Sequence, residues 1–134
     1  MNAVELLMGM DLETLEAVPH GEMEIKRLSK IAGSPFVVEY EAISGRKYAR
    51  IASLIAGKDG KTDVSSGFDA NLMVCVAGIK SPDLNSKDLQ KRFKVATPKD
   101  LVEKVFTFGE VAQIASAIGE VSGLNSDGEE EVKN

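Results

Sequence analysis

The chain has 134 residues, 43% hydrophobic and 28% charged, the balance of one ordinary globular domain with a real core and not of a disordered chain. A net charge of −5 supplies no cationic field for phosphate groups, which excludes nucleic acid and anionic membrane surfaces as partners. The single cysteine, Cys75, allows no internal disulfide and fits a reducing cytoplasm, and no apolar run approaches the ~20 residues that span a bilayer.

The first residues carry Glu5, Asp11 and Glu13 in place of a basic region before an apolar stretch, so a secretory signal is not expected. Asn2 and Glu5 form a capping pair for a short helix of Val4, Leu6, Leu7 and Met8 that Gly9 can end, and Asp11 opens another turn through Leu12 and Leu15. With Met8 and Met10 close together the segment has the adaptable surface of a recognition arm, but packing on its own domain is the favoured expectation, because small domains bury such faces. Pro19 and Gly21 mark a connector. Alternation from Glu22 to Lys26 predicts a short strand, Arg27 to Gly33 a helical turn, and the run Phe36, Val38, Tyr40, Ala42 a second strand, paired antiparallel with the first.

Ser44 caps a helix with Tyr48, Ile51, Ala52 and Ile55 on one stripe, ending at Gly57. Lys58 to Gly67 is polar and irregular and reads as a mobile surface loop. Ser66 and Asp69 form a capping-box pair introducing a helix from Phe68 to Ile79, apolar on nearly every side and therefore central to the domain. A turn at Ser81-Pro82-Asp83 precedes a short helix, Ser86 to Phe93, with Leu89 and Phe93 inward. Thr97-Pro98-Lys99-Asp100 then caps the first arm of an apolar helical hairpin. Leu101, Val102, Val105 and Phe106 line that arm, Thr107-Phe108-Gly109 breaks it, and Val111, Ile114, Ala115, Ile118 and Val121 line the second, which Gly123 stops. Residues 125–134 are acidic and lack an apolar face, which predicts disorder. The expected fold is α+β: a mostly helical single domain over residues 1–123, with a small antiparallel sheet near the N-terminus, a C-terminal helical hairpin, and an acidic tail over residues 124–134.

No catalytic constellation emerges, and neither an enzyme nor a cofactor is expected. Gly57-Lys58-Asp59-Gly60-Lys61-Thr62 ends like a P-loop, but Ile55 stands where the first glycine belongs, and the motif follows a helix where a P-loop follows a strand. His20 is the sole histidine, Asp59 and Asp63 match no calcium-loop spacing, and Glu39 and Glu41 share the wet face of a strand. Cys75 lies along the apolar helix, where a thiol is inert.

Several segments in order carry a resemblance. Asn2-Ala3-Val4-Glu5-Leu6-Leu7, Ile25-Lys26-Arg27-Leu28, Pro35-Phe36-Val37-Val38, Ser44-Gly45-Arg46-Lys47-Tyr48, Thr97-Pro98-Lys99-Asp100-Leu101-Val102-Glu103-Lys104 and Gly109-Glu110-Val111 together resemble the XkdN-like phage tail assembly chaperones. The resemblance implies a non-enzymatic protein of the host cytoplasm that binds the tape-measure protein during tail assembly, with the tail tube protein as a further partner. It implies too that the finished particle lacks the protein, the alternative being a structural component retained in the tail. Many such genes are also read through a programmed frameshift, and Val132-Lys133-Asn134 can be encoded by a slippery adenine-rich run. The family brings no catalytic residues. Contact with the client is expected from Leu6, Leu7, Met8 and Met10, then from Phe106 and Phe108 at the elbow of the hairpin.

Overall fold

Eleven elements follow one another in the computed structural model, which describes residues 2–55 and 64–124. They are α1 (Ala3–Met8), α2 (Leu12–Glu16), β1 (His20–Glu24), α3 (Lys26–Ala32), β2 (Val37–Glu41), α4 (Gly45–Ile55), α5 (Val64–Gly78), β3 (Ile79–Ser81), α6 (Lys87–Arg92), α7 (Pro98–Val105) and α8 (Phe108–Val121). The α+β architecture is as expected, with a three-stranded antiparallel sheet in the order β1-β2-β3 and helices gathered around α5.

The helix starts follow the side chains placed to make them. Asn2 accepts the Glu5 N–H at 2.9 Å, Ser86 that of Leu89 at 3.2 Å and Thr97 that of Asp100 at 3.1 Å. Thr107, expected only to interrupt the hairpin, instead begins α8: its hydroxyl accepts the Glu110 N–H at 3.2 Å while the Glu110 carboxylate accepts the Thr107 N–H at 2.9 Å. Gly33 closes α3 at φ +71°, where a side chain would be strained.

The core is the seam between α5 and α8, with α4 and α7 against α5 and the sheet resting on α8. Leu72 and Cys75 from α5 meet Val111, Ile114 and Ile118 from α8, all fully buried, and Leu101 and Val102 of α7 close one side. Val38 and Tyr40 of β2 point into this core while Val37 and Glu39 point out, the alternation that the sequence predicts.

Four expectations need correction. The first strand is His20–Glu24, and Ile25, expected at its inward end, instead caps α3 and is buried there. Helix α5 begins at Val64, so Ser66 lies within it and the expected capping pair with Asp69 does not start it; Val64 to Gly67 are helix and not loop. The same helix stops at Gly78, one residue short of the expected end, because Ile79 turns to pair with Tyr40 as the third strand. Finally, α1 and α2 bury no residue, so the opening segment does not pack into its own domain's core. The stretch from Gly57 to Asp63 and the tail after Leu124 lie outside the described residues.

Gly78 is where helix becomes strand, and α8 crosses it closely. A Cβ there would sit 2.6 Å from Cδ1 and 2.9 Å from Cγ1 of the fully buried Ile118. Gly78→Ala is therefore expected to lower stability by roughly 1–3 kcal/mol, read from urea midpoints, with the Gly78→Ala/Ile118→Val pair costing less than the sum of its parts.

Candidate functional surface

Residues 2–19 form an arm with every side chain exposed. Val4, Leu6, Leu7, Met8 and Met10 of this arm are 44–83% accessible, and Leu12, Leu15 and Val18 continue the apolar run. Four of the six expected contact residues therefore lie together in water. The caps at Asn2 and Asp11 hold the two short helices: the Asp11 carboxylate accepts from both the Thr14 N–H at 3.1 Å and the Thr14 hydroxyl at 2.6 Å, which holds it below its usual pKa.

The elbow splits the other two. Phe106 is 5% accessible and packs edge-on against Phe36, ring centroids 6.4 Å apart. Phe108, two residues on, is 61% accessible and stacks on Phe68 at 5.4 Å. The Thr107 cap turns the chain between them, so one ring anchors the core and its neighbour faces solvent.

A second apolar feature was not legible in the sequence: a groove of about 300 Å³ between α3, α6 and α7, lined only by apolar side chains. Leu28 and Ile31 of α3 form one wall, Leu89 of α6 and Phe93 another, with Leu101 and Val105 of α7 at the base. Its parts come from four separate stretches of chain, and the clearest signal is Ile31, 73% accessible on a helix whose Leu28 packs against the core. Polar contacts fix the walls. The Ser29 hydroxyl accepts the Phe36 N–H and donates to Glu24, each at 2.8 Å, tying α3 to β1 and to the residue that leads into β2. Gln90, buried at 3%, donates from Nε2 to the Leu84 carbonyl at 2.8 Å and pins α6.

Arg27 holds α3 to the elbow. Its Nε and Nη2 reach the two Glu110 oxygens at 3.0 and 2.8 Å, and Nη2 also donates to the Val105 carbonyl at 2.8 Å. The Arg27 hydrogen bonds, helped by the Thr107 N–H, hold the Glu110 carboxyl below its ordinary value of 4.5 against the opposing effect of burial. A carboxylate with a depressed folded-state pKa contributes stability that is complete above the ordinary value and is lost as pH falls through the lowered one. Glu110→Gln should therefore melt below the parent at pH 7, and the gap should narrow as thermal melts are repeated below about pH 4.5.

Among the described residues no group of three His, Cys, Asp or Glu side chains could hold a metal ion. Glu39 is exposed and Glu41 faces Lys80 at 3.7 Å, and His20 is exposed at the start of β1. Cys75 is fully buried with its Sγ 3.6 Å from the Val111 carbonyl, and desolvation pushes the thiol up to about 12. Native protein at pH 8 should consume no Ellman's reagent on the timescale of an exposed thiol, and urea-unfolded protein one equivalent. No helix of the described residues is long and apolar enough to cross a membrane.

Residues 4–134 match the model of a family described as Phage XkdN-like tail assembly chaperone protein. Among solved structures the chain is similar to the crystal structure of the protein yqbn, with a TM-score of 0.57 at 20% identity over 87% of this chain and 98% of that one, a likeness of fold. No curated protein matches the chain.

Proposed function

The chain belongs to the XkdN-like phage tail assembly chaperone family, and on that premise we propose that it works by non-enzymatic binding, with its residue 2–19 arm as the surface that meets the tape-measure protein before the tail tube closes around it. The observation that carries this reading is the arm: its large apolar side chains stand in water although the domain has a complete core of its own. Each such side chain is worth about 1.5–3 kcal/mol when buried, so a partner able to cover several of them gains a large share of its affinity there. Leucine and methionine on short, individually capped helices can re-pack against irregular apolar segments of a long client. Phe108, on the outer side of the elbow, is an additional anchor of the same kind.

The acidic character of the whole chain fits this role. A net charge of −5 keeps a complex of apolar partners dissolved, and the work is done where cytoplasmic components assemble.

Immobilised tape-measure fragments should capture the parent and Lys58→Ala equally, and Met8→Asp at least tenfold less. Met8 is 83% accessible, so its replacement should leave the melting temperature nearly unchanged and the loss reads as lost contact. Equal capture of all three would remove the arm from the client surface.

A further inference from the structure

The sheet is open along one side. Its order is β1-β2-β3, so β1 has a strand beside it on one flank only. The bonds at its two ends fix which residues face the open flank. The Ala42 N–H donates to the Pro19 carbonyl at 2.8 Å and the Ile25 N–H to the Phe36 carbonyl at 2.9 Å. Between them the register runs without a break, from His20 opposite Glu41 to Glu24 opposite Val37. Hydrogen bonding in an antiparallel pair alternates, so Gly21 and Met23 bond to β2, while His20, Glu22 and Glu24 turn their N–H and C=O groups outward. Among the described residues no backbone group takes them, and all three residues are exposed. The other edge, β3, is three residues long and meets β2 across a register shift, which makes it a poorer template.

The same residues give the open edge one sign of charge. Glu22 lies directly opposite Glu39 in a non-hydrogen-bonded pair, the closest kind of cross-strand neighbour, where like charges destabilise a sheet. Glu41 has Lys80 at 3.7 Å and Glu24 has the Ser29 hydroxyl at 2.8 Å. Among the described residues neither Glu22 nor Glu39 meets a cation. With His20 and Glu41 they line a depression of about 650 Å³ on the wet face of the sheet. The other face of β1 is apolar. Gly21 carries no side chain, and the Tyr40 ring lies across it: a Cβ there would sit 2.7 Å from the Tyr40 hydroxyl oxygen. Met23, two residues on, packs against the core.

We propose that β1 is a docking edge for an extended segment of another protein, one that alternates basic with apolar side chains and joins the sheet as a further strand. Main-chain bonds to His20, Glu22 and Glu24 supply affinity, and the alternate side chains supply selectivity. Lysine or arginine on the wet face answers Glu22 and Glu39, while apolar side chains on the other face continue the cover beside Tyr40 and Met23. Charge selects the occupant. Charged edges keep like strands from pairing, and this edge repels its own kind. A second copy set antiparallel about Glu22 would bring the two Glu22 side chains together, each already beside a Glu39. Residues 2–19 carry Glu5, Asp11, Glu13 and Glu16 with no lysine or arginine, and residues 125–134 set Asp127, Glu129, Glu130 and Glu131 against Lys133, so both are disfavoured on the same ground. Neither Glu22 nor Glu39 belongs to the arm, so docking at β1 is independent of how the arm is used.

NMR on the full chain, with capped peptides as probes, tests the edge. A short peptide alternating lysine with valine should bind with a Kd on the order of 1 mM or below, and at saturation should slow amide exchange at His20, Glu22 and Glu24 by about tenfold or more. The same peptide methylated on every backbone nitrogen keeps its charge and loses its donors, and should bind about tenfold more weakly or worse. A glutamate–valine counterpart should not bind. The variant Glu22→Lys/Glu39→Lys should exchange the two preferences, with a melting temperature close to the parent because both side chains are exposed and the pair keeps like charges. The proposal is overturned if the lysine–valine peptide fails to bind, if the methylated form binds equally, or if the charge reversal leaves the preference unchanged. It is overturned too if protection falls on the arm or the α3–α6–α7 groove and not on β1, or if the parent alone dimerises with β1 protected. Met8→Asp should bind the lysine–valine peptide like the parent while losing capture by tape-measure fragments, so failure at β1 and failure of the arm are read separately.

Discussion

The structure depends on how closely α8 lies on α5. Two helices can approach within side-chain contact along a whole seam only if the residues between them fill it without overlap, and at Gly78 the approach of Ile118 leaves no room for a Cβ. That same residue ends α5 and lets Ile79 turn into the sheet, so one glycine couples the helical core to the third strand. With the seam in place, Val38 and Tyr40 of the central strand face the core, and α7 closes the flank through Leu101 and Val102. The domain has then satisfied itself. Nothing in residues 2–19 is required to complete it, and this makes the apolar character of that arm informative.

Glu110 carries a second constraint of a different kind. The carboxylate caps α8 through Thr107 and grips Arg27 of α3 through two hydrogen bonds, so a single side chain sets both the direction of α8 and the position of one groove wall. Its worth is as much geometric as energetic. The Arg27 side chain is 40% exposed, and that solvent screens the charge pair, but a bidentate contact still fixes orientation. The Thr107 cap also explains why Phe106 and Phe108 part company: Phe106 follows α7 in extended backbone, and the new helix that Thr107 starts carries Phe108 in a different direction.

Local chemistry was legible wherever a side chain speaks to its own backbone. Asn2, Ser44, Ser86 and Thr97 announce their helices, and Gly33 and Gly123 sit past helix ends at positive φ. Periodicity exposed the apolar faces of α7 and α8 and the alternation of β2. What escaped depends on contacts distant in sequence. Ile79 belongs to an apolar run that a helix would use equally well, and only pairing with Tyr40 draws it into a strand. Ser66 and Asp69 have the spacing of a cap, yet the helix already runs from Val64, so a local signal lost to its context. The groove had no sequence signature at all, because its walls come from α3, α6 and α7 and become one surface only after folding. For the arm the periodic reading identified the apolar residues correctly, while the rule that small domains bury such faces misplaced them.

That rule fails for a physical reason. A domain buries an apolar helix when doing so completes its core, and here the volume beside α5 is already filled by α4, α7 and α8. An arm of leucine and methionine left outside such a core would be a liability in a protein whose only task was to be soluble, since each uncovered side chain favours indiscriminate association. Acidic residues spaced through it, and no basic ones, restrict what can cover it: a partner must offer apolar depth and tolerate or attract negative charge. The arm's composition therefore restricts what could cover it by exclusion as much as by attraction: such a surface would have to be apolar and carry no excess of negative charge.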